Sequence, residues 1–218
     1  MKKLDIAVLI SGRGSNMQAL VEACARPDFP ARVVCVISNR PDAGGLQFAE
    51  NANIPTKVIN HKDFPSREAF DAALDAALRD SRADLVCLAG FMRILDPAFV
   101  NGWQDKLINI HPSLLPAFKG LHIHERAIAA GVRFTGCTVH FVRPEMDDGP
   151  IILQAAVPVH EDDTPDTLGA RVLQMEHIVY PEAVRLIALG RVSIENERVK
   201  ISRGVYLADG VVNPIPYK

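Results

Sequence analysis

The sequence predicts an α/β fold, with a mostly parallel central sheet, helices on both faces and an antiparallel extension in its C-terminal half. Three observations predict it. Short, near-continuous apolar runs at 4–10, 32–38, 84–89 and 106–110 alternate with stretches of helical spacing. Such runs mark strands of a parallel sheet covered on both faces. After residue 130 the runs lengthen and are separated by a polar turn, which points to antiparallel or mixed pairing at one side of the sheet.

In chain order, the run 4–10 is the first strand. Two lysines precede it, but Asp5 interrupts it and Gly12-Arg13-Gly14 ends it, so it does not read as a signal peptide. Met17, Leu20, Val21 and Cys24 then repeat at helical spacing. Phe70, Ala73, Leu74, Ala77 and Leu78 do the same behind Ser66, an expected N-cap. Strand-helix alternation of this kind implies right-handed crossovers. The runs 134–142 and 151–159 are two longer strands joined by the turn 143–149. Thr164-Pro165 starts a long helix through Leu168, Val172, Met175 and Val179; Pro181 is expected to kink or interrupt it and Gly190 to end it. Residues 192–201 read as a small hairpin, and 211–218, with two prolines, as an extended tail.

The chain has 218 residues, enough for one domain with a core that needs neither disulfides nor metals. Net charge is -2, without the basic excess of a sequence-blind nucleic-acid binder. No apolar stretch approaches the roughly 20 residues that span a bilayer. Cys24, Cys35, Cys87 and Cys137 form no Cys-x-x-Cys pair, and three lie in apolar runs; buried, reduced thiols of a cytoplasmic protein are expected.

Ser11-Gly12-Arg13-Gly14-Ser15-Asn16 follows a strand and opens a helix. Small residues let a ligand approach the backbone, and the free N–H groups of the helix favour an anion. A phosphate site is the functional reading, and a tight turn that binds nothing is the bland one. A dinucleotide fits less well. Met17 stands where a third small residue is needed, and the second strand ends Ser38-Asn39-Arg40 without an acid for the ribose. The loop suits a monophosphate.

Asn109 and His111 interrupt an otherwise apolar strand. Period-two geometry places both on one face at the strand's carboxyl end, where ligands bind in open α/β sheets. An amide donor and an imidazole aimed at one point suit acyl-type chemistry. Two capped polar residues at a strand end remain the alternative. A metal held by His111, His122, His124 and His140 is a further, weaker option, because His122 and His124 precede a helical pattern. No metal is expected.

The segments Ala89-Gly-Phe-Met-Arg-Ile-Leu95, Asn109-Ile-His-Pro-Ser-Leu-Leu-Pro116 and Asp147-x-Gly149, with the Ser11–Asn16 loop, make the chain resemble the folate-dependent phosphoribosylglycinamide formyltransferases of purine synthesis. The similarity runs from the glycine loop to Glu182. It implies a Rossmann-like sheet and one formyltransferase domain over 1–218, with a phosphate-binding half (1–105) and a catalytic and folate-binding half (106–218). It implies Asn109, His111 and Asp147 as the catalytic trio. Gly14, Ser15 and Asn16 match contacts to the substrate phosphate, and Glu176 matches a carboxylate on the ribose. Arg67, Met92, Arg93, Ile94, Leu95, Asn109 and the stretch Arg143, Pro144, Glu145, Met146 and Asp147 match the folate pocket. Leu173 stands where Gln is common, Pro144 where an acid is common, and Ala117-Phe118-Lys119 departs from the usual order.

The implied partners are glycinamide ribonucleotide and 10-formyltetrahydrofolate, with neither nucleic acid nor membrane, in a monomer or homodimer. A formyltetrahydrofolate hydrolase shares the Asn/His/Asp chemistry but usually carries an N-terminal regulatory domain, which is not expected ahead of Leu4. A methionyl-tRNA formyltransferase would be longer and more basic. A nicotinamide-dependent oxidoreductase is the rival from another class, and Met17 argues against it. A non-catalytic binding module would leave the trio without a role.

Overall fold

Alternate residues of the first strand, β1 (Leu4–Ile10), feed two cores on opposite faces of one sheet. Ile6, Val8 and Ile10 pack with Met17 and Leu20, and with Leu168, Tyr180 and Val184. Ala7 and Leu9 pack with Phe70, Leu74 and Leu78, and with Phe99 and Trp103. A strand buried on both faces must be apolar at nearly every position, which is why it reads as an unbroken run. The computed structural model describes residues 2–203 and 213.

β2 (Ala31–Ser38), β3 (Thr56–Val58), β4 (Leu85–Leu88) and β5 (Leu107–His111) join β1 in parallel, in the order β3-β2-β1-β4-β5. β6 (Phe134–Phe141) pairs antiparallel with β5, and β7 (Ile151–Pro158) antiparallel with β6. The expected antiparallel extension is therefore present, as is the hairpin, β8 (Val192–Glu195) with β9 (Arg198–Ile201). The helices are α1 (Ser15–Ala25), α2 (Gly45–Asn51), α3 (Arg67–Asp80), α4 (Pro97–Gly102), α5 (Ile123–Ala129) and α6 (Pro165–Ala188). α1 and α6 cover one face; α3 and α4 cover the other.

The caps agree with the local chemistry. Ser66 Oγ accepts the Ala69 N–H at 3.2 Å, and Thr164 with Thr167 closes a capping box at the start of α6. Gly190, at φ +63°, ends α6. Pro181 does not interrupt that helix, which runs unbroken for 24 residues. A proline inside a helix costs about 3 kcal/mol, and here Val179, Tyr180, Ala183 and Val184 bury apolar surface on both sides of it and offset that cost. The expected tail, 211–218, lies outside the described residues except for Asn213, whose amide donates to the Arg133 carbonyl at 2.6 Å.

From β1 the chain builds outward through β2 and β3, then returns to β4 on the other side of β1. The order reverses between β1 and β4, and such a reversal opens a crevice at the carboxyl ends of the strands. The loops after β1, β4 and β5 all emerge at that edge.

Candidate active site

The glycine loop is held open by its own geometry. Gly14 caps α1 at φ +73°, and a Cβ there would stand 3.2 Å from the Gly45 Cα. Gln18 is the first residue whose N–H bonds back into the helix, to the Gly14 carbonyl at 2.9 Å. The N–H groups of Ser15, Asn16 and Met17 have no helical acceptor, and free donors at a helix start are the kind of groups that favour an anion. The Asn16 side chain turns inward instead. Its Nδ2 donates to Glu176 Oε2 at 2.6 Å across 160 residues of sequence, and both residues are buried. Burial pushes the Glu176 carboxyl up, while the Asn16 bond pulls it down. Among the described residues, Asn16 Oδ1 is buried without a hydrogen-bond partner.

At the end of β5 the register sets Asn109 opposite His140, and His111 opposite Thr138. The His140 ring is buried, and burial lowers its pKa, against a contribution from its bond to the Phe141 carbonyl. Nδ1 lies 2.9 Å from that carbonyl and donates to it, so in the neutral ring Nε2 is an acceptor. Asn109 Nδ2 stands 3.4 Å from Nε2. This contact fixes which way the Asn109 amide faces. His111 is 5% exposed; its Nε2 lies 3.0 Å from the Phe118 carbonyl and its Nδ1 3.3 Å from Asp147 Oδ1. Both nitrogens thus face oxygens, one of the Asp147 carboxylate and one of the Phe118 backbone.

Asp147 reaches His111 by a detour. β6 runs against β5, so its last residue, Phe141, sits opposite Ile108, below His111. The turn that follows has to double back. Asp147 takes φ +51°, and Gly149 is required because a Cβ there would stand 2.1 Å from the Phe141 carbonyl oxygen. Asp147 Oδ2 then accepts the Gly120 N–H at 2.8 Å, and Lys119 Nζ pairs with Asp148 at 2.8 Å. The loop after β5 is anchored from β6: Thr138 Oγ1 donates to the Ser113 carbonyl at 2.7 Å and accepts the Leu115 N–H at 3.0 Å. The structure therefore gathers Asn109, His111 and Asp147 into one cluster.

The chain as a whole matches known proteins. The formyl transferase family model matches residues 4–184. The chain belongs to the formyl transferase family. It is 54% identical over 199 residues to the trifunctional purine biosynthetic protein adenosine-3 of Bos taurus, covering 91% of this chain but only 20% of that protein. It thus spans about a fifth of the length of that relative. With the phosphoribosylglycinamide formyltransferase of Escherichia coli it shares 47% identity over 191 residues, 88% of this chain and 90% of the relative. Among solved structures, glycinamide ribonucleotide transformylase 1 from Symbiobacterium toebii superposes with a TM-score of 0.89 at 50% identity, covering 91% and 94% of the two chains. A formyltetrahydrofolate deformylase from Pseudomonas putida KT2440 gives 0.82 at 27% identity, covering 92% of this chain and 70% of that one.

Within this formyl transferase the expected folate-side residues divide into two groups. Met92, Ile94 and Met146 are 70%, 66% and 60% exposed, large apolar groups in loops beside the cluster. Arg67, Arg93, Pro144 and Glu145 are exposed as well, whereas Leu95 is buried in the core under α3 and α4. The Arg143 guanidinium does not join the cluster. It pairs with Asp105, which precedes β5, and with Glu197 at the hairpin tip, at 2.8 and 2.7 Å. His140 is the site residue that the sequence did not offer in this role; the signal was a lone polar residue between Val139 and Phe141. No group of three side chains able to hold a metal occurs among the described residues. The four cysteines are buried, and burial pushes the thiols of Cys24 and Cys137 up to about 12.

Proposed function

We propose that this formyl transferase moves the formyl group of 10-formyltetrahydrofolate to the primary amine of glycinamide ribonucleotide. The products are formylglycinamide ribonucleotide and tetrahydrofolate, in purine biosynthesis. The observation that carries the reading is a single edge holding both parts: an anion-binding helix start joined to Glu176 through Asn16, and the Asn109–His111–Asp147 cluster. The formyltransferase relatives, matched over most of their length, supply the substrates.

Each residue's role follows from its contacts. The phosphate sits at the Gly14 turn against the free N–H groups that begin with Ser15 and Asn16, and Glu176 takes ribose hydroxyls. Attack of an amine on a formyl carbon produces an oxyanion. Asn109, oriented by His140, donates one N–H to it, and His111 supplies a second once its Nε2 turns from the Phe118 carbonyl to the substrate. Removing one such donor typically costs ~10²–10³ in rate. A proton must leave the attacking nitrogen and reach the departing folate nitrogen; Asp147 holds His111 for that transfer or orders a water that carries it. Arg67, the 92–95 loop and the 143–147 turn flank the folate. Residues 1–218 act as one formyltransferase domain, in the cytoplasm, as a monomer or homodimer, without a nucleic-acid or membrane partner.

The second reading is formyltetrahydrofolate hydrolysis, favoured by the likeness to the deformylase. One assay separates the two: 10-formyltetrahydrofolate consumption with and without glycinamide ribonucleotide. Transfer predicts consumption only with the ribonucleotide present. Equal consumption in its absence sinks the transfer reading.

A further inference from the structure

The loop after β4 carries Met92 and Ile94 into solvent, yet it is pinned at both ends. Near its start, the Met92 N–H donates to Ser11 Oγ at 2.7 Å, and that hydroxyl donates to Asn39 Oδ1 at 2.6 Å. At its end, the Asp96 N–H donates to Asp71 Oδ2 at 2.8 Å, while Asp96 Oδ1 caps α4 through the Phe99 N–H at 2.9 Å. The first pin is made of neutral groups. The second is a carboxyl, 2% exposed, on the buried face of α3 between Phe70 and Leu74.

Packing alone would place an apolar residue there, because a buried carboxyl is costly unless something compensates it. Asp71 Oδ1 has no hydrogen-bond partner among the described residues. The Asp71 carboxyl is pushed up to about 6, chiefly by burial; the Asp96 N–H works against that rise, the Asp96 carboxyl adds to it, and the Arg67 charge lowers it. The group is thus kept at a cost to stability, and the bond it makes is to the end of the 92–95 loop.

We propose that Asp71 is a positioning residue for the cosubstrate: it anchors Asp96 and thereby sets the path on which Met92 and Ile94 meet the folate ring. The inference rests on the reading that this loop flanks the folate. It separates Asp71 from an ordinary core residue, because an anchor of this loop acts on one substrate and not on the other.

Steady-state kinetics on purified variants test it. Asp71→Ala should raise KM for 10-formyltetrahydrofolate about tenfold, the loss expected for a hydrogen bond to a charged group. KM for glycinamide ribonucleotide and kcat should stay within about twofold. Asp71→Asn keeps an oxygen for the Asp96 N–H and gains an amide donor for the Asp96 carboxylate, so it should restore the folate KM. If Asp71→Ala does not fold, Asp71→Ser, too short to reach the Asp96 N–H, carries the same expectation. Equal rises in both KM values, an unchanged folate KM, or failure of Asp71→Asn to rescue each overturn the proposal. Met92→Ala with Ile94→Ala locates the fault. If that pair raises folate KM and Asp71→Ala does not, only the role of Asp71 fails; if neither does, the folate lies elsewhere and both readings fall.

Discussion

The two ends of the cleft are built on different principles. At the phosphate end the polar groups are buried and matched in advance: Asn16 and Glu176 meet at 2.6 Å inside the protein, behind a glycine turn that a Cβ would crowd. At the folate end the side chains are large, apolar and exposed, and they sit on loops whose anchors are ion pairs and single hydrogen bonds. On the proposed function, the first end takes a small charged group on donors that the fold has already set in place. The second leaves apolar surface in water, which is favourable only when a ring covers it. The cluster of Asn109, His111 and Asp147 draws on both, since its first two members stand on a sheet strand and the third arrives on a turn.

The largest effects should come from that junction. His111→Ala and Asp147→Asn should each lower kcat by ~10²–10³ or more, with glycinamide ribonucleotide still binding in equilibrium titration. If both retain near-normal turnover, the cluster is not the catalytic centre. Asp147→Asn is the sharper of the two, because it keeps the shape that accepts the Gly120 N–H and removes only the charge facing His111.

Changes at the rigid end should act on one substrate. Glu176→Gln should raise KM for the ribonucleotide about 10- to 100-fold, as for losing a charged acceptor of hydrogen bonds, and leave the folate KM nearly unchanged. The pH dependence follows from burial. A raised carboxyl pKa means that Glu176 takes up a proton at a higher pH than an exposed glutamate does. Its buried charge is a stability cost that is fully present above the raised pKa and relieved as pH falls through it. Ribonucleotide KM should therefore climb on the acid side while the fold itself is relieved, and Glu176→Gln should flatten that climb. A KM profile identical in wild type and variant would remove Glu176 from ribose recognition.

A smaller effect should come from His140, which acts through Asn109. His140→Leu removes the acceptor that orients the amide, and kcat should fall about tenfold, the equivalent of one hydrogen bond. Loss of kcat with both KM values preserved is the expected signature. A change confined to KM would mean that the Asn109 amide faces the ligand without help.

The sheet was legible because burial on both faces leaves an unbroken apolar run, as in β1 and β4. Asn109 and His111 stood out for the same reason, as polar residues in such a run. α2, β3 and α4 were not read, being three to seven residues long and too short for any periodicity to show. Asp147 could be placed only by resemblance, since its partner lies 36 positions away and is reached by a turn at positive φ. Arg143 shows the limit of a residue-by-residue match. Its position lies in the expected folate-side stretch, yet its charge serves Asp105 and Glu197. Asp71 was readable in principle, as an acid among Phe70, Leu74 and Leu78, but the helix pattern alone assigns it no partner.

The smallest expected effect tests how the folate end is held. Lys119 and Asp148 close the loop after β5 onto the turn that carries Asp147; the Lys119 side chain is 36% exposed and that of Asp148 60%. Exposed ion pairs contribute about 0.2–1 kcal/mol and weaken with salt. Lys119→Ala should therefore raise the folate KM by no more than about fivefold at low ionic strength, and less than that at 0.5 M salt. The ribonucleotide KM should not respond, because nothing at the rigid end touches this pair. A salt-independent loss, or one shared by both substrates, would mean that the turn is held by its buried contacts, chiefly Gly120 to Asp147. The contrast between a preformed phosphate end and an adaptable folate end would then weaken, because the turn would belong to the rigid half.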